Sequence, residues 1–445
     1  MFPAPPKKNP GNKRAGESPR APIGRRANKR AETNIDVLIV GGGLVGGVLA
    51  MALAGARLAV AVVDTEPPAH EKNLRADGKK YDGRVSAIAL SSQRLLENIG
   101  AWGALARQAQ PIEQIRVAEA GTTHFLHYDA REIGGAPFGF MVENRILRRE
   151  LGRRIARLDG VALFAPARIE TLERGAFGVS AQLADGRRIL SQLAVAADGA
   201  RSRTRAQAGI GIARREYGQT AIVCAVRHER AHEAIAHELF HPSGPFAILP
   251  MRRAGESPRA KSWNRSAIVW SERSDRAALF AGLDADAFAA ELTRRAGDFL
   301  GAIRLDSPRW TYPLSVQFAH RMVAERLALA GDAAHAMHPV AGQGLNMGLR
   351  DAAALADVLG EAKSLGLDLG APEVLEKYGR WRRFDNGLML AMTDGLVRLF
   401  SNDLEPLRQM RGLGLSAVNR VPPLRRLFAR HAMGVVGDLP QLMRG

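Results

Sequence analysis

Residues 35–66 read IDVLIVGGGLVGGVLAMALAGARLAVAVVDTE, and this stretch decides the fold. The apolar run Val37–Val40 predicts a buried strand, and the residues from about Leu44 to Ala54 predict a helix that starts within a cluster of glycines. The run LAVAVVD then predicts a second strand. Strand, helix and strand in this order form a βαβ unit, so the sequence predicts an α/β fold built on a parallel sheet.

The glycines of this unit have the spacing G-x-G-x-x-G, at Gly41, Gly43 and Gly46. The first glycine allows a tight turn, the second lets the backbone approach a pyrophosphate, and the third lets the helix pack on the strand. The helix N-terminus offers free N–H groups to the phosphates, and Asp64, at the end of the second strand, is placed to accept ribose hydroxyls. The unit therefore predicts a dinucleotide site, with FAD and NAD as the alternatives.

Three further segments carry residues typical of ligand sites in α/β sheets. Arg84 precedes a stretch with helical periodicity, and Asp198-Gly199 follows the apolar run LAVAA. The run RLALAG leads to Asp332, and GQGLNMGLRDAAALADVLG predicts a helix that begins in a glycine-rich turn. Since ligands bind at the carboxyl ends of parallel strands, we expect these segments to meet.

The last segment also sets Asp332, His335 and His338 close together, as in a metal site. No cluster of Cys and His with ligand spacing accompanies it elsewhere, and Pro339 interrupts the local helix. The sequence therefore predicts no metal here and assigns the two histidines to shaping a loop.

Together these segments resemble the class A flavoprotein monooxygenases, the aromatic hydroxylases built like p-hydroxybenzoate hydroxylase. Within that class the chain resembles the ubiquinone-biosynthesis ring hydroxylases, from about Ile35 to the C-terminus. DGARS and GDAAH fit two fingerprints of the class, and HPVAGQGLNMGLRD fits the signature block of the subfamily. The residues that match this block are His338, Pro339, Val340, Ala341, Gly342, Gln343, Gly344, Asn346, Gly348 and Asp351.

The resemblance implies a Rossmann-like FAD-binding domain of the p-hydroxybenzoate hydroxylase type, with an inserted mixed-sheet substrate domain and a helical C-terminal region. It implies FAD as the cofactor, with Asp332 at the ribityl or ribose hydroxyls and the turn 342–346 against the flavin ring. The positive end of the following helix would stabilise the negative charge of a reduced flavin. The residues expected to bind the cofactor are Gly41, Gly43, Gly46, Asp64, Arg84, Asp198, Gly199, Asp332, Pro339, Gly342, Gln343, Gly344 and Asn346.

The resemblance also implies the reaction. NAD(P)H would reduce FAD, the reduced flavin would take up O2, and a C4a-hydroperoxide would hydroxylate the ring of a polyprenyl-phenol in ubiquinone biosynthesis. The chemistry is centred on the flavin, so no residue is assigned as catalytic. A membrane surface and a ubiquinone-biosynthesis complex are further expected partners. Another flavoprotein reaction on the same frame is the alternative: phenol hydroxylation, halogenation or reduction of a prenyl chain.

The order of the segments predicts a discontinuous FAD-binding domain at residues 35–111, 140–215 and 319–366. The stretches 112–139 and 216–318 contain strand-like alternation and are assigned to the substrate domain. The region 367–445 is predicted to be helical and basic, and two placements are open for it: packing on the body, or lying on an anionic membrane surface.

The net charge of +18 raises the alternative of a nucleic-acid-binding protein, but the sequence shows no reading helix or aromatic-basic platform. Part of the excess lies in residues 1–34, which are rich in Pro and Gly and predict a disordered basic tail. The single cysteine, Cys224, excludes an internal disulfide. The βαβ unit accounts for the uncharged run 37–56, so we predict no transmembrane segment and a cytoplasmic protein, free or peripheral on the inner face of the membrane.

The octapeptide RAGESPRA occurs twice, at Arg14–Ala21 and at Arg253–Ala260. The second copy lies between FAILPM and SAIVWSE, two strand-like runs that a short hairpin could join directly. We interpret both copies as inserted sequence without chemistry, because a surface loop tolerates extra length at low entropic cost. A docking or phosphorylation site at the two Ser-Pro pairs is the alternative.

Overall fold

A computed structural model describes residues 32–68, 83–120, 125–253, 263–339, 342–400 and 421–445. In chain order its strands are β1 Glu32–Val40, β2 Val60–Val63, β3 Val85–Ala89, β4 Gln110–Ile112, β5 Gln114–Glu119, β6 Phe125–Asp129, β7 Gly139–Glu143, β8 Val161–Phe164, β9 Ile169–Gly175, β10 Gly178–Leu183, β11 Arg188–Ala196, β12 Ile212–His228, β13 Ile235–His241, β14 Gly244–Met251, β15 Asn264–Arg273, β16 Ile303–Leu305, β17 Trp310–Ala319, β18 Val323–Ala324, β19 Leu327–Leu329 and β20 His335–Ala336. The helices are α1 Leu44–Gly55, α2 Leu90–Asn98, α3 Trp102–Ala106, α4 Asn144–Ile155, α5 Arg203–Gln207, α6 Ser274–Gly282, α7 Ala285–Ala296, α8 Gln343–Ser364, α9 Pro372–Phe400 and α10 Pro422–Ala432.

The first sheet has a parallel centre in the order β19, β11, β1, β2 and β8, with β18 antiparallel at one edge. Strands β9 and β10 extend it as an antiparallel hairpin on β11. Residues 37–39 of β1 are fully buried because strands lie on both sides, helices cover the face of Val37 and Ile39, and residues of β10 and β11 cover the face of Leu38. The predicted βαβ unit, β1–α1–β2, is confirmed.

Strand β1 begins at Glu32, whereas the sequence placed its start at Val37 and assigned residues 32–34 to the tail. Glu32 to Ile35 lie in register with Arg188 to Ser191 of β11. The difference arises because pairing with a longer neighbour extends a strand beyond its own apolar run. The remaining tail residues, 1–31, lie outside the described residues.

Helices α1 and α8 pack together beneath the ends of the parallel strands. A Cβ atom on Gly348 of α8 would lie 2.6 Å from Cγ2 of Val45 and 3.0 Å from Cα of Gly331. There is no room for a side chain at this crossing, so a glycine is required for the two helix N-termini to approach each other.

The second sheet is mixed, in the order β20, β17, β12, β15, β14, β13, β5 and β6, with β13 and β5 parallel. Helices α6 and α7 cover its outer face, where Trp270, Phe246 and Phe288 are buried. The opposite side, which we call the inner face, packs towards the small sheet β3–β7–β4. The predicted fold class, a Rossmann-like FAD-binding domain with an inserted mixed sheet and a helical C-terminal region, is confirmed.

Strands β12 and β17 run across positions 215 and 318, where the sequence placed domain boundaries. The two strands pair with each other over both positions, as far as Ile212 and Ala319. No loop therefore separates the two units at these positions.

FAILPM and SAIVWSE form β14 and β15, which pair antiparallel as a hairpin would require. Residues 254–262 between them, which hold most of the second RAGESPRA copy, lie outside the described residues, as does the first copy. Residues 401–420 of the C-terminal region are also outside. Among the described helices, none is long and apolar enough to cross a membrane.

Candidate functional site

Four of the predicted site residues directly follow or closely follow neighbouring parallel strands. Gly41 follows β1, Asp64 follows β2, Asp198 follows β11 and Asp332 follows β19. Because these strands are parallel and adjacent, their carboxyl ends lie along one edge of the sheet. The structure therefore brings together segments that lie far apart in the sequence.

The glycine-rich turn after β1 uses its three glycines in different ways. Gly41 has φ +104°, and a Cβ there would lie 2.5 Å from the carbonyl oxygen of Ala197, in the turn after β11. A Cβ on Gly46 would lie 1.9 Å from the carbonyl oxygen of Gly41. A Cβ on Gly43 would meet no atom within 4 Å. Gly41 and Gly46 allow the turn to close, whereas Gly43 leaves open space in front of the α1 N-terminus.

Asp64 stabilises this turn with both carboxylate oxygens. Oδ2 accepts a hydrogen bond from the amide of Gly42 at 2.5 Å, and Oδ1 accepts one from the amide of Glu66 at 2.8 Å. Each carboxylate oxygen can accept more than one hydrogen bond. Asp64 therefore positions the turn and keeps acceptor capacity for a ribose hydroxyl.

Asp198 has one satisfied oxygen and one unsatisfied oxygen. Oδ2 accepts hydrogen bonds from the amide of Thr204 at 3.2 Å and from its hydroxyl at 3.0 Å. Oδ1 is buried and has no hydrogen-bond partner among the described residues. A buried carboxylate oxygen requires a donor. The hydroxyls of a dinucleotide would supply it, so this residue fits FAD. The neighbouring Gly199, at φ +85°, has no atom within 4 Å of its Cβ position.

Asp332 lies in the short 3-10 turn Gly331–Ala333 and is exposed to solvent. Burial among the surrounding protein atoms nevertheless raises the pKa of its carboxyl, while the charges of His335 and Arg84 act to lower it. The side chain is thus accessible while other protein atoms surround it. This is where a carboxylate could bind the hydroxyls of a cofactor.

Arg84 connects this edge to the second sheet. Its guanidinium lies over the ring of Tyr312, 5.7 Å from the ring centroid. The preceding Gly83, at φ +63°, packs so closely that a Cβ would lie 2.0 Å from Cε3 of Trp310. We call the edge formed by the carboxyl ends of the parallel strands the cofactor edge. Arg84 therefore lies where the cofactor edge meets the inner face of the second sheet.

The N-terminus of α8 begins at Gly342, which has φ +61° and donates its amide hydrogen to the carbonyl of Pro339 at 3.0 Å. A Cβ on Gly344 would lie 3.7 Å from Cγ of Met337, an ordinary packing distance. The side-chain amide of Gln343 reaches the carbonyl of Ala432 in α10 at 3.5 Å. These contacts fix the turn that the sequence placed against the flavin ring.

Asn346 uses its side chain to hold β3 against this turn. Its Oδ1 accepts from the amide of Ala89 at 3.0 Å, and its Nδ2 donates to the carbonyls of Ala87 at 2.8 Å and Gly342 at 3.2 Å. The sequence assigned Asn346 to cofactor binding, and the observed contacts show a side chain that positions the α8 turn on β3. The backbone N–H groups of the first turn of α8 are the groups that the helix N-terminus offers to an anion.

A buried network that sequence reasoning missed supports the Asp332 turn from behind. Asp351 of α8 accepts hydrogen bonds from the amide of Gly331 at 3.0 Å, from Nε2 of His335 at 2.6 Å and from Nε of Arg382 at 2.8 Å. Arg382 also donates to Asn386 at 2.6 Å. The signature block contains Asp351, but its partner Arg382 is on α9, where the sequence carries no motif.

The histidines considered for a metal site have other contacts. His335 pairs with Asp351, and the ring of His338 packs edge-on against Tyr217 with centroids 5.1 Å apart. Burial lowers the pKa of His338 to about 4, so its imidazole is neutral near pH 7. Across the described part of the chain, no group of three or more His, Cys, Asp or Glu residues is arranged to hold a metal ion.

A surface pocket of about 210 Å³ lies elsewhere, between β6 and α10. It is lined by Tyr128, Glu132, Ile133, Arg425 and Arg426. None of these residues follows a parallel strand of the first sheet, so the strand ends, with their unsatisfied carboxylate oxygen, are the candidate cofactor site.

The chain is similar to known proteins over almost its whole length. Residues 34–384 match the family described as the FAD binding domain. The sequence is 53% identical to the ubiquinone hydroxylase UbiL of Rhodospirillum rubrum, over 97% of each chain. It is 35% identical to the 3-demethoxyubiquinol 3-hydroxylase of Escherichia coli, over 90% of this chain and 98% of that protein.

Solved structures show the same fold. PqsL, a probable FAD-dependent monooxygenase from Pseudomonas aeruginosa, matches with a TM-score of 0.70 at 22% identity, over 86% of this chain and 100% of that one. The p-nitrophenol 4-monooxygenase PnpA from Pseudomonas putida matches with a TM-score of 0.70 at 19% identity, over 90% of this chain and 98% of that one. The chain belongs to the family of FAD-dependent monooxygenases that includes the ubiquinone hydroxylases.

Proposed function

We propose that this protein hydroxylates the aromatic ring of a polyprenyl-phenol intermediate in ubiquinone biosynthesis, with O2 as the oxygen source and NAD(P)H as the reductant. The observation that carries the proposal is the 53% identity to a ubiquinone hydroxylase over 97% of both chains. The cofactor edge opens towards an inner face that is lined by apolar side chains, which suits a substrate with a long hydrocarbon tail.

The residues that would hold FAD lie along the strand ends. We place the pyrophosphate in the open space beside Gly43, at the N-terminus of α1, where backbone N–H groups and the helix dipole favour anions. We place sugar-type hydroxyls at Asp64, and at Asp198 and Asp332, whose carboxylates fit hydroxyl donors. When bound, FAD would supply the electron transfer and oxygen activation that no protein side chain provides.

The chain itself contributes binding, orientation and exclusion of water. The N-terminus of the long helix α8 places its positive end at the turn 342–346, where it would stabilise negative charge on the flavin. Asn346 and Asp351 hold this turn and the Asp332 turn in place. The apolar inner face would keep water from the reacting ring and so favour hydroxylation over wasteful loss of activated oxygen.

The proposed reaction predicts a coupled assay result. Purified protein loaded with FAD should consume NADH or NADPH and O2 and convert 2-geranylphenol, a short polyprenyl-phenol, to a hydroxylated product. Deleting the gene should cause an unhydroxylated polyprenyl-phenol to accumulate, and mass spectrometry of that compound would identify the ring carbon. A yellow protein that oxidises NAD(P)H with no hydroxylated product, in a strain with normal quinone, would instead favour another flavoprotein reaction.

We also infer that α10 contacts an anionic membrane surface. Ala429 and Met433 are buried against the body, whereas Leu427 and Arg430 are exposed on another side of the helix. Arginines beside an exposed leucine can bind lipid headgroups while the leucine enters the interface. Arg426, which is also exposed, lines the neighbouring surface pocket, where the adjacent Arg425 pairs with Glu132 at 2.6 Å. A polyprenylated substrate is stored in the membrane, so this contact would shorten its path.

The membrane contact predicts salt-sensitive binding to lipid. Protein should sediment with liposomes that contain anionic lipid at low ionic strength and be released as salt rises, because salt screens exposed charges. The double substitution Arg426→Gln/Arg430→Gln should weaken sedimentation. The control Arg107→Gln/Arg157→Gln removes the same charge from exposed positions elsewhere and should bind as the unmodified protein does. Equal sedimentation of both variants, or binding that ignores salt, would contradict the contact.

A further inference from the structure

Glu238 lies on the inner face of the second sheet. Side chains alternate along β13, and Leu239 packs with the outer cluster that contains Trp270 and Phe288. Ala236 and Phe240, two residues on either side of Glu238, are instead buried in a different cluster, which we call the inner cluster. Glu238 therefore points in the same direction as Ala236 and Phe240.

The residues paired in register with Glu238 on this face are apolar, and Glu119 lies two residues further along β5, beside Phe240. In register beside it are Ala247 of β14 and Val117 of β5, and along its own strand are Ala236 and Phe240. No described side chain makes a hydrogen bond or ion pair with the Glu238 carboxyl, and the side chain is only partly buried. Burial raises the pKa of this carboxyl to about 8. The carboxyl is thus surrounded by protein and still accessible.

The inner cluster connects Glu238 to the cofactor edge. Tyr217 packs against this cluster and also against the ring of His338, which precedes the α8 turn. Ala87 packs against the same cluster and is held to the α8 turn by its hydrogen bond with Asn346. The inner cluster thus extends from the face of β13 that carries Glu238 to the α8 turn, which we place against the flavin.

An unpaired carboxyl in apolar surroundings costs folding free energy, because it loses hydrogen bonds to water without gaining others. Such a cost is typical of groups kept for a ligand. A polyprenyl-phenol is an apolar molecule with a hydroxyl on its ring, so its chemistry matches an apolar wall that carries a hydrogen-bonding group.

We propose that the Glu238 carboxyl hydrogen-bonds the phenolic hydroxyl of the substrate and thereby selects phenols over rings that lack a free hydroxyl. This inference rests on the proposed function and deepens it by naming the residue that recognises the ring. Glu238 acts here as a binding residue that orients the ring, and the oxygen transfer remains flavin-centred.

A first test separates a ligand-binding role from a structural one. In FAD-loaded protein, Glu238→Leu should raise the unfolding temperature, because leucine fits the apolar wall without the cost of a buried carboxyl. A residue with a structural partner would behave in the opposite way. A lowered unfolding temperature in Glu238→Leu, rescued by Glu238→Gln, would overturn the proposal.

A second test measures recognition of the hydroxyl by ligand-induced changes in the flavin absorbance of oxidised enzyme. The unmodified protein should bind 2-geranylphenol more tightly than its methyl ether. Glu238→Leu should weaken phenol binding about tenfold, the loss expected for one hydrogen bond, and leave the ether unchanged. Glu238→Gln, which can still hydrogen-bond, should stay close to the unmodified protein. The control Glu173→Leu, at an exposed carboxyl on β9, should change neither ligand.

The outcomes distinguish a failure of the role of Glu238 from a failure of the proposed function. Equal loss of phenol and ether binding in Glu238→Leu, or no loss of either, would overturn the role of Glu238 while leaving the proposed function intact. No binding of either ligand to the unmodified, FAD-loaded protein would overturn the proposed function and with it the role of Glu238.

Discussion

Replacing Gly43 with valine is expected to give a folded protein that has lost its FAD. No atom lies within 4 Å of the Cβ position of Gly43, so the protein has room for the side chain. Valine would instead fill the space at the α1 N-terminus, where we place the pyrophosphate. Each hydrogen bond to a charged group contributes about 1.5–3 kcal/mol, so losing two would weaken FAD binding at least a hundredfold or so. Flavin absorbance per protein, with circular dichroism to monitor folding, measures this effect.

Two other glycines of the same segment serve as controls. Gly55→Val, at the far end of α1, also places its Cβ where no atom lies within 4 Å, and it should retain FAD. Gly46→Val should disturb folding itself, since its Cβ would lie 1.9 Å from the carbonyl oxygen of Gly41. If Gly43→Val purifies with a full complement of flavin, the phosphates do not lie at this turn.

The cofactor edge could be predicted from the sequence because its signals are local. The G-x-G-x-x-G spacing and the apolar run before it are consecutive in the chain, and α1 begins at Leu44 as predicted. The run that leads to Asp332 and the helix after the glycine turn are similarly compact signals. Parallel strands then bring the ends of such segments together, so an order of elements is enough to predict a common site.

Features that depend on pairing between distant segments could not be predicted in this way. The start of β1 depends on the length of β11, and the contacts of Asn346 depend on where β3 lies. Glu238 lies in a strand whose sequence, IAHELFH, gives no sign that both flanking strands pair it in register with apolar residues. A sequence shows which side chains share a face of one strand, but the register across strands decides their surroundings.

Replacing Asp351 with asparagine is expected to destabilise the protein by about 3–5 kcal/mol, the cost of removing one partner of a buried ion pair. Asp351 and Arg382 are both almost completely buried, with exposed side-chain fractions of 0% and 1%. The substitution would also loosen the amide of Gly331 and the adjoining Asp332 turn, so FAD content should fall. Urea unfolding and flavin absorbance measure the two effects. Asp385→Asn, a partner of Arg382 that reaches solvent, should cost only about 1 kcal/mol.

The stability difference between the unmodified protein and Asp351→Asn should depend on pH if the charge of Asp351 causes it. Burial alone would raise the pKa of Asp351, but His335 and Arg382 outweigh that effect and hold the pKa at about 2, below the ordinary value of 3.8. A carboxyl whose pKa is lowered by folding stabilises the protein above its unfolded-state pKa and loses that contribution as the pH falls towards its folded-state pKa. The stability gap between the unmodified protein and Asp351→Asn should therefore be constant above about pH 5 and narrow as the pH falls below 4. A gap of the same size at pH 3 and pH 6 would show that asparagine acts through lost shape or hydrogen bonding, and that the ionised carboxylate is not what holds the Asp332 turn.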